Sequence, residues 1–256
     1  MWINAGLVQI DVVKGNKNAN MQRIRALISS VFNRQIILLP ELWNTGYDLA
    51  RKHELAEDLS GDSVAFMIDI AREKSAFVGG SILRRSESQV LNTFVLVNAR
   101  GIVATYDKVH LFKRMEEDLY LAPGQRFTTV DLGFAKAGLA VCYDLRFPEM
   151  FREYIDRDVN MILLVAQWPT ARYEHWCTLT RARAIENQCF LLACNRVGGE
   201  THLEFNGGSM AIDPWGVILA EGSREEGVVT AEMNLNHINV ARTRFPVLPD
   251  RRKDLY

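Results

Sequence analysis

A thiol, a carboxylate and an ammonium stand in three short segments from which each could serve nucleophilic catalysis. The first is Gly138-Leu139-Ala140-Val141-Cys142-Tyr143-Asp144-Leu145-Arg146-Phe147-Pro148-Glu149, where an apolar run ends and Pro148 suits the first turn of a helix. A strand-to-helix turn lifts a nucleophile above a sheet and turns backbone N–H groups toward the reacting centre. A helix start also favours thiolate, which predicts a Cys142 pKa below the ordinary ~8.5. The plain alternative is a small core residue, as most free cysteines are, and the segment alone leaves both open. Cys189 and Cys194 lie in or beside an apolar run and Cys177 on a helical stretch, so these three are read as packing residues.

The second segment is Leu38-Leu39-Pro40-Glu41-Leu42-Trp43-Asn44-Thr45-Gly46-Tyr47. Glu41 follows a very apolar run, at the kind of sheet end where sites of open α/β folds gather. A desolvated carboxylate there would have the raised pKa that a general base needs; an exposed loop glutamate is the commoner case. The third segment, Tyr106-Asp107-Lys108-Val109-His110-Leu111-Phe112, offers Lys108 to an oxyanion and to a thiolate. His110 is a second choice, as partner in a Cys–His dyad. No histidine spacing of the HExxH or HxxxH kind, Walker-type loop or GxGxxG occurs, so neither metal nor cofactor is expected.

The elements that would hold these residues alternate between short β-rich runs and helix-period stretches. Strands are expected at Ile3–Val12, Gln35–Pro40, Ala76–Leu83, Val90–Asn98, Gly138–Cys142, Asn160–Ala166, Cys189–Asn195, Gly207–Ile212 and Val217–Ala220. Helices are expected at Asn20–Phe32, Ser63–Lys74, Pro148–Ile155 and His175–Asn187, with a turn at Asp213-Pro214-Trp215-Gly216. Gly79-Gly80 and Gly198-Gly199 read as turns or sites of close packing. The product is an α/β domain, a mixed sheet system layered with helices as α-β-β-α.

Composition is that of an ordinary globular protein, 48% hydrophobic and 24% charged over 256 residues. A chain this long buries roughly three quarters of its unfolded surface and needs no disulfide or metal to hold a core. Thirty Lys and Arg against 31 Asp and Glu give a net charge of -1, without the basic footprint of a nucleic-acid binder. The first residues lack a basic n-region, and no apolar stretch reaches a membrane span. Four cysteines without a CxxC pair point to a reducing, cytoplasmic setting. One domain over 1–256 is expected, with an extended tail from about 237.

Taken together, the three segments resemble the nitrilase superfamily of carbon–nitrogen hydrolases. The likeness continues through Arg181-Ala182-Arg183-Ala184-Ile185-Glu186-Asn187-Gln188 and the Asp-Pro-Trp-Gly turn. It implies a four-layer α-β-β-α sandwich and a triad of Glu41, Lys108 and Cys142. It also implies a second glutamate, best matched by Glu117, with the adjacent Glu116 as the alternative. Gln167-Trp168-Pro169 and the closing Arg252-Lys253-Asp254-Leu255-Tyr256 look most like the ω-amidase and methionine-salvage-linked branch. That branch acts on 2-oxoacid ω-amides such as 2-oxoglutaramate and releases ammonia.

On this reading Glu41 deprotonates Cys142, and Lys108 with the Tyr143 N–H holds the oxyanion. Arg146 either binds the substrate carboxylate or pairs with Asp144, and Tyr47, Tyr143 and Trp168 line the pocket. An acyltransferase, another amide or carbamoyl hydrolase, or a silent binding protein on the same fold are the competing readings. The family also implies a homodimer, through the Pro148–Ile155 helix with its Met150, Phe151, Tyr154 and Ile155 and through part of the tail.

Overall fold

The computed structural model describes residues 1–31, 33–200 and 203–255. Phe32, expected to close the first helix, and Tyr256, the last residue of the closing motif, lie outside the described residues. The chain begins with β1 (Trp2–Gln9), α1 (Lys17–Ile28), β2 (Ile36–Leu38), the short α2 (Lys52–Leu55) and α3 (Asp62–Lys74). Then follow β3 (Phe77–Ser86), β4 (Gln89–Asn98), β5 (Gly101–Asp107) and a one-turn helix α4 (Glu117–Tyr120). The second half gives β6 (Thr129–Asp131), β7 (Lys136–Val141), α5 (Pro148–Asp156), β8 (Met161–Ala166), α6 (Tyr173–Asn187) and β9 (Phe190–Asn195). A hairpin of β10 (Val197–Glu200) and β11 (Leu203–Asn206) precedes β12 (Met210–Ile212), β13 (Ile218–Glu221), β14 (Gly227–Asn234) and α7 (Asn236–Arg244).

Two six-stranded sheets result, ordered β14-β1-β2-β3-β4-β5 and β13-β12-β9-β8-β7-β6. Each has a parallel centre, β1-β2-β3 in one and β7-β8-β9 in the other. Successive side chains of a strand point to opposite faces, and here both faces are covered. Ile36 and Leu38 of β2, with Phe94 and Leu96 of β4, join the core between the sheets. Ile37, Leu39, Val95 and Val97 join a second core with Ile24 and Ile28 of α1 and Met67 and Ile70 of α3. Phe151 and Tyr154 of α5 and Trp176 and Ala184 of α6 pack on the other sheet. The layers are therefore helix, sheet, sheet, helix, as expected from the sequence.

One close approach fixes how α5 lies. A Cβ on Gly138 of β7 would stand 2.6 Å from the Tyr154 ring, so only glycine admits this packing. Tyr154 then donates to Leu139 O at 2.5 Å. Gly79-Gly80 and Gly198-Gly199 lie inside β3 and β10 rather than in turns.

Two expectations change. Met150, Phe151 and Tyr154 are fully buried and Ile155 is 9% exposed, so the apolar face of α5 belongs to this chain's own core. A nine-residue helix with only one side on a sheet looks over-apolar in sequence, but here β7 and α6 cover it from two directions. The segment from 237, expected to be extended, begins with α7, which buries Ile238 and Ala241. Gln188 Nε2 donates to Ala241 O at 3.2 Å and to Phe245 O at 2.7 Å, fastening the helix end to the domain.

Candidate active site

Cys142 opens a 3-10 turn, Cys142–Arg146, directly after β7. Its φ of +47° is strained for an L-residue, a cost of roughly 1–3 kcal/mol that surrounding bonds must hold. Asp144, fully buried, does so by accepting from Val141 N (2.9 Å), Tyr106 OH (2.8 Å) and His110 N (3.1 Å). Arg183 holds the far end, with Nε and Nη2 donating to Leu145 O at 3.1 and 2.9 Å. That bond gives the Arg-Ala-Arg-Ala-Ile-Glu-Asn-Gln run a physical purpose. A helix proper starts only at Pro148.

His110 is a fastener of this turn. Its Nδ1 lies 2.8 Å from Asp144 Oδ1, and its ring stacks on Phe147 at 3.8 Å. Among the described residues it makes no bond to Cys142, so the dyad reading gains no support. Nor does Asp144 pair with Arg146. The Asp144 oxygens are taken by Tyr106, His110 and Val141, and Arg146 instead sits 3.3 Å from His175 Nδ1 and over the Trp168 ring at 4.7 Å.

Glu41, Lys108 and Glu117 form a buried cluster with 0%, 1% and 0% exposure. They arrive from a loop after β2, the residue after β5, and the first turn of α4. Lys108 Nζ donates to Glu117 Oε1 at 2.7 Å and Glu41 Oε1 at 2.9 Å, with Tyr47 OH at 3.4 Å. The Tyr47 hydroxyl lies 2.7 Å from Glu41 Oε1 and 2.6 Å from Glu117 Oε1, donating to one carboxylate at a time. Glu117 Oε2 accepts from Phe112 N at 2.7 Å. Glu116 is exposed, so Glu117 is the glutamate that enters the cluster.

Glu41 also ties the two sheets together. Its Oε1 accepts from Asn92 Nδ2 at 2.8 Å, its Oε2 from Gln167 N at 2.9 Å, and its carbonyl from Gln167 Nε2 at 2.7 Å. Two carboxylates and one ammonium leave the cluster with one net negative charge. Burial alone would lower the Lys108 pKa, but Glu117 and Glu41 outweigh it and raise it, so Lys108 stays charged.

The same surroundings act on Cys142 in the opposite sense to the sequence expectation. Burial first, then the Glu41 charge, push its thiol well above the ordinary range, against the opposing pull of Lys108. Burial wins because the sulfur is enclosed beside two carboxylates and a single ammonium. The resting group is a thiol facing Glu41. Handing its proton to Glu41 keeps the cluster's net charge constant, whereas losing it to solvent would add a second buried negative charge. The arrangement suits a nucleophile deprotonated as it attacks.

A pocket opens onto the thiol, lined by Tyr47, Lys108, Phe112, Met115, Cys142, Tyr143, Arg146, Gln167, Trp168, Pro169 and Arg172. All four residues expected from sequence to touch substrate (Tyr47, Tyr143, Arg146, Trp168) are in this lining. Asn92 and Arg172 were not anticipated. Asn92 had a signal, a polar residue inside the apolar run Val90-Leu91-Asn92-Thr93-Phe94; Arg172, in a loop of ordinary composition, had none. Cys189 and Cys194 are core residues, the latter within 3.3 Å of Leu38 O and 3.4 Å of Val8 O, and Cys177 is half-buried on α6. Among the described residues no cluster of His, Cys, Asp and Glu is arranged to hold a metal ion, and no helix is long and apolar enough to cross a membrane.

Comparison with known proteins agrees with this architecture. The family model for carbon–nitrogen hydrolases matches residues 4–243. A 2-oxoglutaramate amidase of Bacillus subtilis is 40% identical over 252 residues, covering 97% of each chain. An omega-amidase, YafV, of Escherichia coli is 34% identical, covering 95% of this chain and 94% of its own. The crystal structure of XC1258 from Xanthomonas campestris, a CN-hydrolase superfamily protein with an arsenic adduct in its active site, superposes with a TM-score of 0.94. It is 33% identical over 99% of this chain and 98% of that one. With the sandwich fold, the buried Glu–Lys–Glu cluster against a thiol, and likeness along nearly the whole length, this chain belongs to the carbon–nitrogen hydrolase family of amide-hydrolysing enzymes.

Proposed function

We propose that the enzyme is an ω-amidase that hydrolyses small anionic 2-oxoacid ω-amides, 2-oxoglutaramate above all, through a thioester on Cys142. The observation that carries this is a thiol facing a buried carboxylate–ammonium–carboxylate cluster, at the floor of a pocket whose wall bears Arg146, without a carboxylate partner among the described residues. The relatives named for 2-oxoglutaramate and ω-amide hydrolysis support the same substrate.

Glu41 accepts the Cys142 proton as sulfur bonds to the amide carbon. The resulting oxyanion is held by Lys108 and the Tyr143 N–H. Of the three Lys108 N–H donors, the one toward Tyr47 is longest at 3.4 Å and weakest, so it is the donor free to turn to substrate. Glu41 returns its proton to the amide nitrogen, the C–N bond breaks and ammonia leaves. Water then enters, loses a proton to Glu41 and attacks the thioester; free acid departs and the proton returns to sulfur. Glu117 and Tyr47 keep Lys108 in place, while Asn92 and Gln167 orient Glu41.

An ammonia-release screen over ω-amides, nitriles, carbamoyl compounds and N-acyl amines tests the reading. The highest kcat/KM is expected for 2-oxoglutaramate, with free acid and ammonia as the products. A faster nitrile or carbamoyl compound would contradict it, and transfer of the acyl group to an added amine in preference to water would identify an acyltransferase.

Four free thiols fit a reducing, cytoplasmic setting. The working unit is proposed to be a homodimer. With the α5 face committed to the core, one exposed apolar surface is Ile185 of α6 beside Trp215, Val217 and Ile218, which are 46, 44, 53 and 37% exposed. Gly216 brings that turn against Ile185, making one patch that a two-fold partner could share. Light scattering should give twice 29.1 kDa, and Ile185→Asp should halve it; a constant 29.1 kDa for the native protein would refute the dimer.

A further inference from the structure

We infer that Arg172, acting with Arg146, forms the subsite that binds the carboxylate end of the substrate and so determines specificity. This rests on the ω-amidase reading and extends it to a residue without a sequence signal. Arg172 closes a 3-10 turn, Thr170–Arg172, whose carbonyl accepts from Trp168 Nε1 at 2.7 Å. Its guanidinium lies over the Phe112 ring at 5.3 Å, as that of Arg146 lies over Trp168 at 4.7 Å. The two cations thus face one pocket from aromatic shelves that fix their direction.

Neither arginine has a carboxylate partner among the described residues, although other half-buried arginines of this chain do: Arg23 meets Glu226, Arg84 meets Asp107, Arg152 meets Glu186 and Arg251 meets Asp156. Burial, and then the charge of Arg146, push the Arg172 pKa down. Two like charges held together at partial burial repel each other, and an anion between them removes that cost. Among the described residues the pocket lining contains no acidic side chain. A ligand ending in a carboxylate is therefore favoured, while an α-ammonium beside that carboxylate would meet two cations and no counter-ion. The substrate class is a 2-oxoacid or simple dicarboxylic acid monoamide, not an amino-acid amide. Charge-assisted, forked bonds from two arginines suit one carboxylate.

The test measures kcat/KM of the native enzyme, Arg172→Gln and Arg172→Lys on 2-oxoglutaramate, glutamine and uncharged pentanamide. The native enzyme should prefer 2-oxoglutaramate over both others. In Arg172→Gln its advantage over pentanamide should fall about 10- to 100-fold, chiefly through KM. Inhibition by the product 2-oxoglutarate should weaken in parallel, and Arg172→Lys should recover part of both. A native preference that survives intact in Arg172→Gln would overturn the role of Arg172 and leave the ω-amidase reading standing. Equal native kcat/KM on 2-oxoglutaramate and pentanamide would overturn both, and glutamine turned over as well as 2-oxoglutaramate would overturn the two-cation subsite.

Discussion

Cys142→Ala is expected to lower amide hydrolysis by on the order of 10⁶-fold, with the fold intact. Without sulfur there is nothing to carry the acyl group, and Glu41, Lys108 and Glu117 have only each other to act on. The structural effect is small because Cys142 is one side chain at the pocket floor and its turn is held by Asp144 and Arg183. Cys177→Ala, Cys189→Ala and Cys194→Ala should keep native kcat, the two buried ones losing some stability because they fill core space. Stopped assays with matched circular dichroism decide the case. Substantial turnover by Cys142→Ala would remove the nucleophile from the account.

Glu41→Gln is expected to lower kcat by about 10²- to 10⁴-fold, since the amide keeps the shape and cannot exchange a proton. It should also cost about 1–3 kcal/mol of stability. Oε1 accepts from Lys108 and Asn92 and Oε2 from Gln167 N, so whichever position the NH₂ group takes, a donor faces a donor. Thermal denaturation separates the two effects. Near-native turnover by a folded variant would return the role of base to another group.

How much of this could be read from the chain varies by element for physical reasons. β2, β7 and β8 were legible because burial on both faces leaves unbroken apolar runs such as Ile36–Leu39 and Met161–Ala166. β14 was not: of its eight residues Ala231 and Met233 alone are buried, and it is made a strand by pairing with β1 across the whole chain, Trp2 opposite Asn234. The start of α1 came three residues earlier than periodicity suggested, because Asn16 caps it by accepting from Ala19 N at 3.1 Å.

At the site, motifs singled out Glu41, Lys108 and Cys142 as candidates, yet their electrostatics were not legible. The Cys142 pKa was expected to fall on a helix-start argument, and it rises because burial and Glu41 prevail, something only the enclosed cluster shows. Likewise pairing with Arg146 was one of two options open for Asp144, whereas the fold brings it Tyr106 and His110 from over thirty residues away. Contacts of that range leave no local pattern in a sequence.

The most direct test of the central claim is mass spectrometry of the native enzyme quenched with acid during turnover of 2-oxoglutaramate. A mass increase of one 2-oxoglutaryl group is expected on the peptide containing Cys142, absent from the peptides of Cys177, Cys189 and Cys194. The adduct should disappear when hydroxylamine is added, with the hydroxamate appearing in its place. Ammonia released in a pre-steady-state burst with Cys142 unmodified, or an acyl group found on any other residue, would contradict it.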